Sequence, residues 1–178
     1  MKSLRCLTLT ALLVATLAGC GGETYIGDRA GHSLTLRDDV LTAHADGHPD
    51  AVVDATGTLR IDGKPVPVTP AQRALLKAWH DQLVGVRTAG IRTGVAGVKL
   101  AGHAVADAVT GDGKDASARA EPEREQLRAE ALAICDHFDA LQKTQNALAA
   151  SLPAFKPYAA LEVRADADCR ANASRHPD

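Results

Sequence analysis

The chain has 178 residues, enough for one domain with a modest core. Twenty Lys and Arg stand against 22 Asp and Glu, a net charge of −2, so no basic stripe can neutralise a phosphate backbone and no nucleic-acid partner is expected. One Trp, two Tyr and two Phe leave equally few platforms on which bases or sugars could stack.

Lys2 and Arg5 precede an apolar run over residues 7–15, and Leu17-Ala18-Gly19-Cys20 closes it. A basic start, an apolar middle and a small-residue exit read as a secretory signal over residues 1–19. The run is too short for a transmembrane anchor, which leaves an ordinary signal with a chance Cys as the alternative. The four closing residues resemble the lipobox of bacterial lipoproteins. That resemblance implies cleavage before Cys20, attachment of a lipid (palmitate) through its sulfur, and a mature chain beginning at Cys20. Gly21 follows it, and by resemblance to enterobacterial sorting a residue other than Asp there implies the outer membrane, with the protein facing the periplasm. The signal takes two basic residues and no acid, so the mature chain carries 18 cations against 22 anions, or −4.

Cys6 departs with the signal and Cys20 takes the lipid, which leaves Cys135 and Cys169. Two thiols in an oxidising compartment favour a disulfide. A redox or metal pair is the alternative, but neither Cys lies in a C-x-x-C or at zinc-finger spacing from a His.

Residues 20–31 are polar and glycine-bearing and read as a flexible tether. Residues 33–68 then follow a β pattern, with short runs at 33–37, 40–45, 51–54, 58–61 and 66–68 separated by turn residues. Leu59 and Ile61 share one face, and Asp62-Gly63 offers the positive φ angles of a tight hairpin. Pro65 and Pro67 cannot donate to a ladder, which puts the last strand at an edge. The result is a small antiparallel meander with one wet face.

Thr69-Pro70 switches the period: Thr caps, and Pro suits the first helical position. Leu76, Trp79, Leu83 and Val86 recur at helical spacing. Two stripes follow, one of Gly90, Gly94, Gly97, Ala101, Ala104 and Ala108, the other of Ile91, Val95, Val98, Gly102, Val105 and Val109. The glycines predict a kink or break over 87–90 in a helix of about 70–109. After a loop at 110–115, a second helix is expected over about 121–152. Its seam is Leu127, Ala131, Ile134, Phe138, Leu141, Gln145, Leu148 and Leu152, and its predicted partner is the small-residue stripe of the first helix. Pro153 and Pro157 end it, residues through 165 close the domain, and 166–178 read as a disordered tail. The fold class is therefore α+β, a small antiparallel β-meander followed by two long antiparallel helices.

Residues 54–64, then Thr69-Pro70-Ala71-Gln72-Arg73, the Trp79-His80 helix and Ile134-Cys135-Asp136 together resemble the YggN-like family of exported bacterial proteins of unknown function. The resemblance covers roughly residues 50–155 and its motifs are structural. It implies a strand–turn–strand leading into a helix and carries no catalytic residue across. The lipobox stands here in place of a plain signal, and the linker between the helical parts is shorter.

Candidate chemistry is thin. His44, Asp46 and His48 place two imidazoles and a carboxylate near a strand end, a weak set for zinc or copper whose third ligand, His32 at a guess, must come from elsewhere. The plainer account is exposed loop polarity. Residues 111–115 hold part of a calcium-loop pattern without its length or terminal Glu. Trp79-His80-Asp81 are consecutive on a helix, so a catalytic pair there is poorly aimed, and no Ser sits in a G-x-S-x-G. No catalytic residue and no cofactor is expected. The sequence points to a lipid-anchored envelope protein with a binding or structural role, whose partners are the membrane and, where the role is binding, another envelope protein. A periplasmic metal-binding protein or hydrolase is the alternative.

Overall fold

The structure, a computed structural model, describes residues 23–28, 31–110, 116–160 and 167–173. Six strands form one antiparallel sheet in chain order: β1 (Thr24–Gly27), β2 (His32–Arg37), β3 (Val40–Ala45), β4 (Ala51–Val53), β5 (Leu59–Ile61) and β6 (Lys64–Pro65). Two long helices follow, α1 (Pro70–Thr110) and α2 (Ala116–Ser151), then a 3-10 helix at Pro153–Ala160 and a short α3 (Ala167–Ala173). This is the expected α+β meander with two antiparallel helices. The signal at 1–19, Cys20 and the loop at 111–115 lie outside the described residues.

Strand alternation builds the sheet's inner face. Leu36, Leu41, Val53 and Leu59 align across four strands, each at 0% exposure, and Leu34, Ala43, Ala51 and Ile61 form the next row. The outer face carries Thr35, Thr42, His44 and Arg60. Asp62 and Gly63 both take positive φ, as the hairpin requires, but β6 is Lys64–Pro65 rather than 66–68. Pro65 does lie in the edge strand, and Val66 still donates from its amide to the Leu59 carbonyl at 2.9 Å.

The tether expectation fails in its second half. Thr24–Gly27 is a strand paired with β2, Thr24 opposite Leu36 and Ile26 opposite Leu34. A β-branched residue on each side of Tyr25 can pair with an existing edge, and Ile26 packs on the core.

α1 begins with a reciprocal cap. The Thr69 amide donates to Gln72 Oε1 at 2.8 Å, and the Gln72 amide to Thr69 Oγ1 at 3.2 Å. Gln72 also donates to the Ser151 carbonyl at the far end of α2 (2.6 Å). His137 meets Gln82 (2.9 Å), Arg92 faces Glu130 (3.8 Å) and His103 faces Glu123 (3.6 Å), a ladder that fixes the antiparallel register.

That register corrects the expected contact between helices. The face of α1 turned to α2 continues the phase of Trp79, Leu83 and Val86 through Ala89 and Ala96, which are buried, level with Ile134 and Leu127. At Gly90, Gly94 and Gly97, by contrast, a methyl group in place of the hydrogen would meet nothing within 4 Å. Bulk does meet small residues between the helices, but through a different row. The close approach is made by a side chain, at Gly85, where a Cβ would run into the His137 ring. α1 also runs unbroken through 87–90, because packing along α2 outweighs the low helix propensity of glycine. α2 starts at Ala116 and contains Pro122, five residues ahead of the expected start at 121.

The tail after α2 is structured where it is described. Phe155 and Tyr158, three apart in the 3-10 helix, both point into the core. Phe155 meets Trp79 edge-on with centroids 4.9 Å apart, a pairing worth about 0.5–1.5 kcal/mol beyond its burial. The Tyr158 hydroxyl donates to the Pro49 carbonyl at 2.5 Å. Within the stretch read as a disordered tail, α3 brings Cys169 to Cys135, and the two form a disulfide with Cα atoms 5.9 Å apart. Arg170 adds ion pairs to Asp136 (2.8 Å) and Asp139 (2.7 Å).

Candidate functional site

The junction between the sheet and the head of α1 forms a surface groove. Asp54 organises the turn ahead of β5: its Oδ1 accepts from the amides of Thr56 (2.9 Å) and Thr58 (3.1 Å) and from the Thr56 hydroxyl (2.6 Å). Burial pushes the Asp54 carboxyl up, and these hydrogen bonds outweigh it, leaving the group below the usual carboxylate range. Gly57, at φ +76°, lets the turn press onto the first turns of α1. Arg73 reaches back from α1 to the Thr58 hydroxyl at 3.2 Å.

Beside this contact is an open groove of about 540 Å³ lined by Thr56, Val68, Pro70, Arg73, Ala74 and Lys77. Its floor is apolar and its charged rim is cationic. Lys77 is shared with Asp81 at 2.6 Å, and there too burial raises the carboxyl while the hydrogen bond from Lys77 lowers it further. The Thr56 hydroxyl is committed to Asp54, so the groove offers cations and apolar surface for binding rather than a nucleophile. Sequence reasoning did not find it, because the lining comes from both sides of the β5–β6 hairpin. The only local signals were the Asp54 turn and the capped start of α1.

The weak metal candidates are partly brought together. His44 stands on the wet face of β3 with Nδ1 2.8 Å from Asp50 and Nε2 3.4 Å from Asp46. The Asp50 hydrogen bond raises the His44 pKa, desolvation opposes it, and Asp46 adds to the rise. An imidazole flanked by carboxylates on both nitrogens favours its protonated form, whereas a metal needs a lone pair. His48 turns away to meet the Tyr158 ring at 6.4 Å. His32 pairs with Asp28 at 3.2 Å and lies opposite Ala45, so strand alternation puts it on the other face of the sheet from His44. Among the described residues no group of three or more His, Cys, Asp or Glu could hold a metal ion.

Buried His80 is a structural contact: Nε2 donates to the Asp39 carbonyl at 2.8 Å, with Asp81 3.4 Å from Nδ1. Arg87 holds the Asp39 carboxylate at 2.6 Å. The β2–β3 tip is thereby clamped to α1.

No family model matches the chain, and neither a curated protein nor a solved structure does.

Proposed function

We propose that this chain is a lipid-anchored envelope protein, held in the outer membrane through Cys20 and facing the periplasm, with a non-catalytic binding or structural role. The observation that carries the reading is Leu17-Ala18-Gly19-Cys20 at the end of an exported leader. A Cys135–Cys169 bridge supports export, since such bonds persist in oxidising compartments. The non-catalytic part is supported by the groove, whose Thr56 hydroxyl is committed to Asp54. The groove with Arg73 and Lys77 on its rim suits an acidic segment of another envelope protein. Membership of the YggN-like family belongs to the same proposal and adds no activity to it.

Cells fed labelled palmitate test the anchor. The wild-type chain should carry label and fractionate with membranes, while Cys20→Ser should lose both or accumulate as precursor. A cleaved Cys20→Ser chain retained on the membrane as fully as wild type refutes the reading.

A further inference from the structure

α1 outlasts the core. Its last large buried side chain among the described residues is Val86, and beyond it the helix continues to Thr110 with Ala89 and Ala96 buried on the side of α2. On this arm Ile91, Val95, Val98, Val105 and Val109 are 60, 51, 75, 66 and 82% exposed. With Gly102 they recur at intervals of four and three, one seam along roughly 27 Å of helix. The seam lies on the side of α1 opposite the buried Ala89 and Ala96, so α2 leaves it uncovered. Contiguous exposed apolar surface of this kind marks an interaction face. No helix among the described residues is long and apolar enough to cross a membrane.

Three observations select the occupant. The first is where the chain enters the fold. Only Gly21, Gly22 and Glu23 separate Cys20 from β1, a reach of about 14 Å. Glu23 is paired with Arg37, the last residue of β2, and the tip that follows is clamped to His80 and Arg87. Ile91 is one helical turn past Arg87. The anchor therefore enters at the end of the sheet from which the arm departs.

The second is charge: from 87 to 106 the helix carries Arg87, Arg92 and Lys99 and no acid. Arg92 is paired with Glu130 of α2, and Lys99 is exposed beside the seam, where lipid phosphates would meet it. The third concerns a second copy. In a coiled-coil pair through this seam, a parallel partner sets Lys99 against Gly94 and Arg92 against Arg87, and an antiparallel one sets the cations against each other. Neither arrangement supplies an acid.

We infer that this outer face of α1 is a lipid-docking face, which lies on the membrane holding the protein's own anchor, with the seam in the interfacial zone and Lys99 at the phosphates. The inference rests on the anchoring through Cys20. It converts a tethered domain into one fixed in orientation, with the sheet and its groove set beside the membrane surface.

The test uses the mature acylated chain in vesicles of phosphatidylethanolamine and phosphatidylglycerol, with a nitroxide at Val98→Cys or, as control, at exposed Ala129→Cys on α2. Acylated Cys20 and the closed Cys135–Cys169 bridge leave each introduced thiol as the labelling site. On vesicles, the label at 98 should become several-fold less accessible to a polar nickel complex than in detergent-free solution of the unacylated Cys20→Ser chain. The label at 129 should not change. Lys99→Glu should make the label at 98 more accessible to the nickel complex on vesicles. A label at 98 that stays water-accessible while intact mass shows acylated Cys20 overturns the docking and leaves the anchor standing. Spin–spin broadening between labels at 98 assigns the face to a second copy and overturns it too. A chain whose mass shows bare Cys20 and which fails to float with vesicles overturns both readings.

Discussion

Gly57 offers a sharp measure of how tightly the sheet is seated on α1. It sits at φ +76°, and an added Cβ would run into the Arg73 carbonyl oxygen and lie 3.0 Å from the Lys77 amide. Those are backbone atoms one turn apart in α1, so no side chain can rotate out of the way. Gly63 supplies the control: φ is +69°, and nothing lies within 4 Å of its Cβ position. Ala at either site adopts a left-handed backbone at roughly 1–2 kcal/mol. Part of that is offset by the reduced entropy of the unfolded chain, about 0.4–1 kcal/mol. Gly63→Ala should therefore cost about 1 kcal/mol or less. Gly57→Ala adds an overpacking cost of about 1–3 kcal/mol, because the turn must lift from the helix. Urea denaturation of the two variants, followed by circular dichroism in a Cys20→Ser background, gives the difference directly. Equal midpoints for the two variants would show that the turn is not wedged against α1 and that the 540 Å³ groove beside it is not fixed by this contact.

The disulfide closes a loop of 34 residues, so reduction, or Cys135→Ser with Cys169→Ser, should cost about 3.8 kcal/mol in the chain-entropy model; two titratable thiols in unreduced native protein would contradict it. His44 should titrate above the ordinary histidine value, because its hydrogen bond to Asp50 favours the charged ring. A raised folded-state pKa contributes stability below the unfolded value and loses it as pH rises through the folded one. Imidazole proton NMR should show the His44 midpoint fall in Asp50→Asn, and an unmoved midpoint rules out that hydrogen bond as the cause.

Local chemistry made much of the fold legible. Asp62-Gly63 needs only its own two residues to make a hairpin, and Thr69-Pro70 with Gln72 needs only the first turn of α1. The seam of α2 was readable because Leu127, Ile134, Leu141 and Leu148 are large, and size reports burial. The contact face of α1 was not readable by the same rule. Ala89 and Ala96 are buried while Gly94 and Ala101 are exposed, yet all four are small and carry no hydrophobic contrast. Only the phase continued from Trp79, Leu83 and Val86 separates them. β1 escaped for another reason: four residues have little signal of their own, and their pairing depends on an edge made elsewhere in the chain.

The candidate site divides in the same way. His44 and Asp46 were legible as neighbours because they stand two residues apart at the end of β3, whereas Asp50 arrives from the following loop and His48 leaves for Tyr158. The groove was illegible, since Thr56 and Arg73 meet only after the β5–β6 hairpin folds back. The tip at Asp38 and Asp39 shows what such long-range contacts accomplish. Both residues hold positive φ, 49° and 58°, without being glycine, a conformation Asp tolerates at some cost. His80 fixes the Asp39 carbonyl and Arg87 its carboxylate, so the strained tip is held by the helix it touches. Through Arg37, one residue before that tip, the same clamp extends to Glu23. The residue leading into β1 and the base of the helical arm are thus joined through the β2–β3 tip by Glu23, Arg37, Asp39, His80 and Arg87.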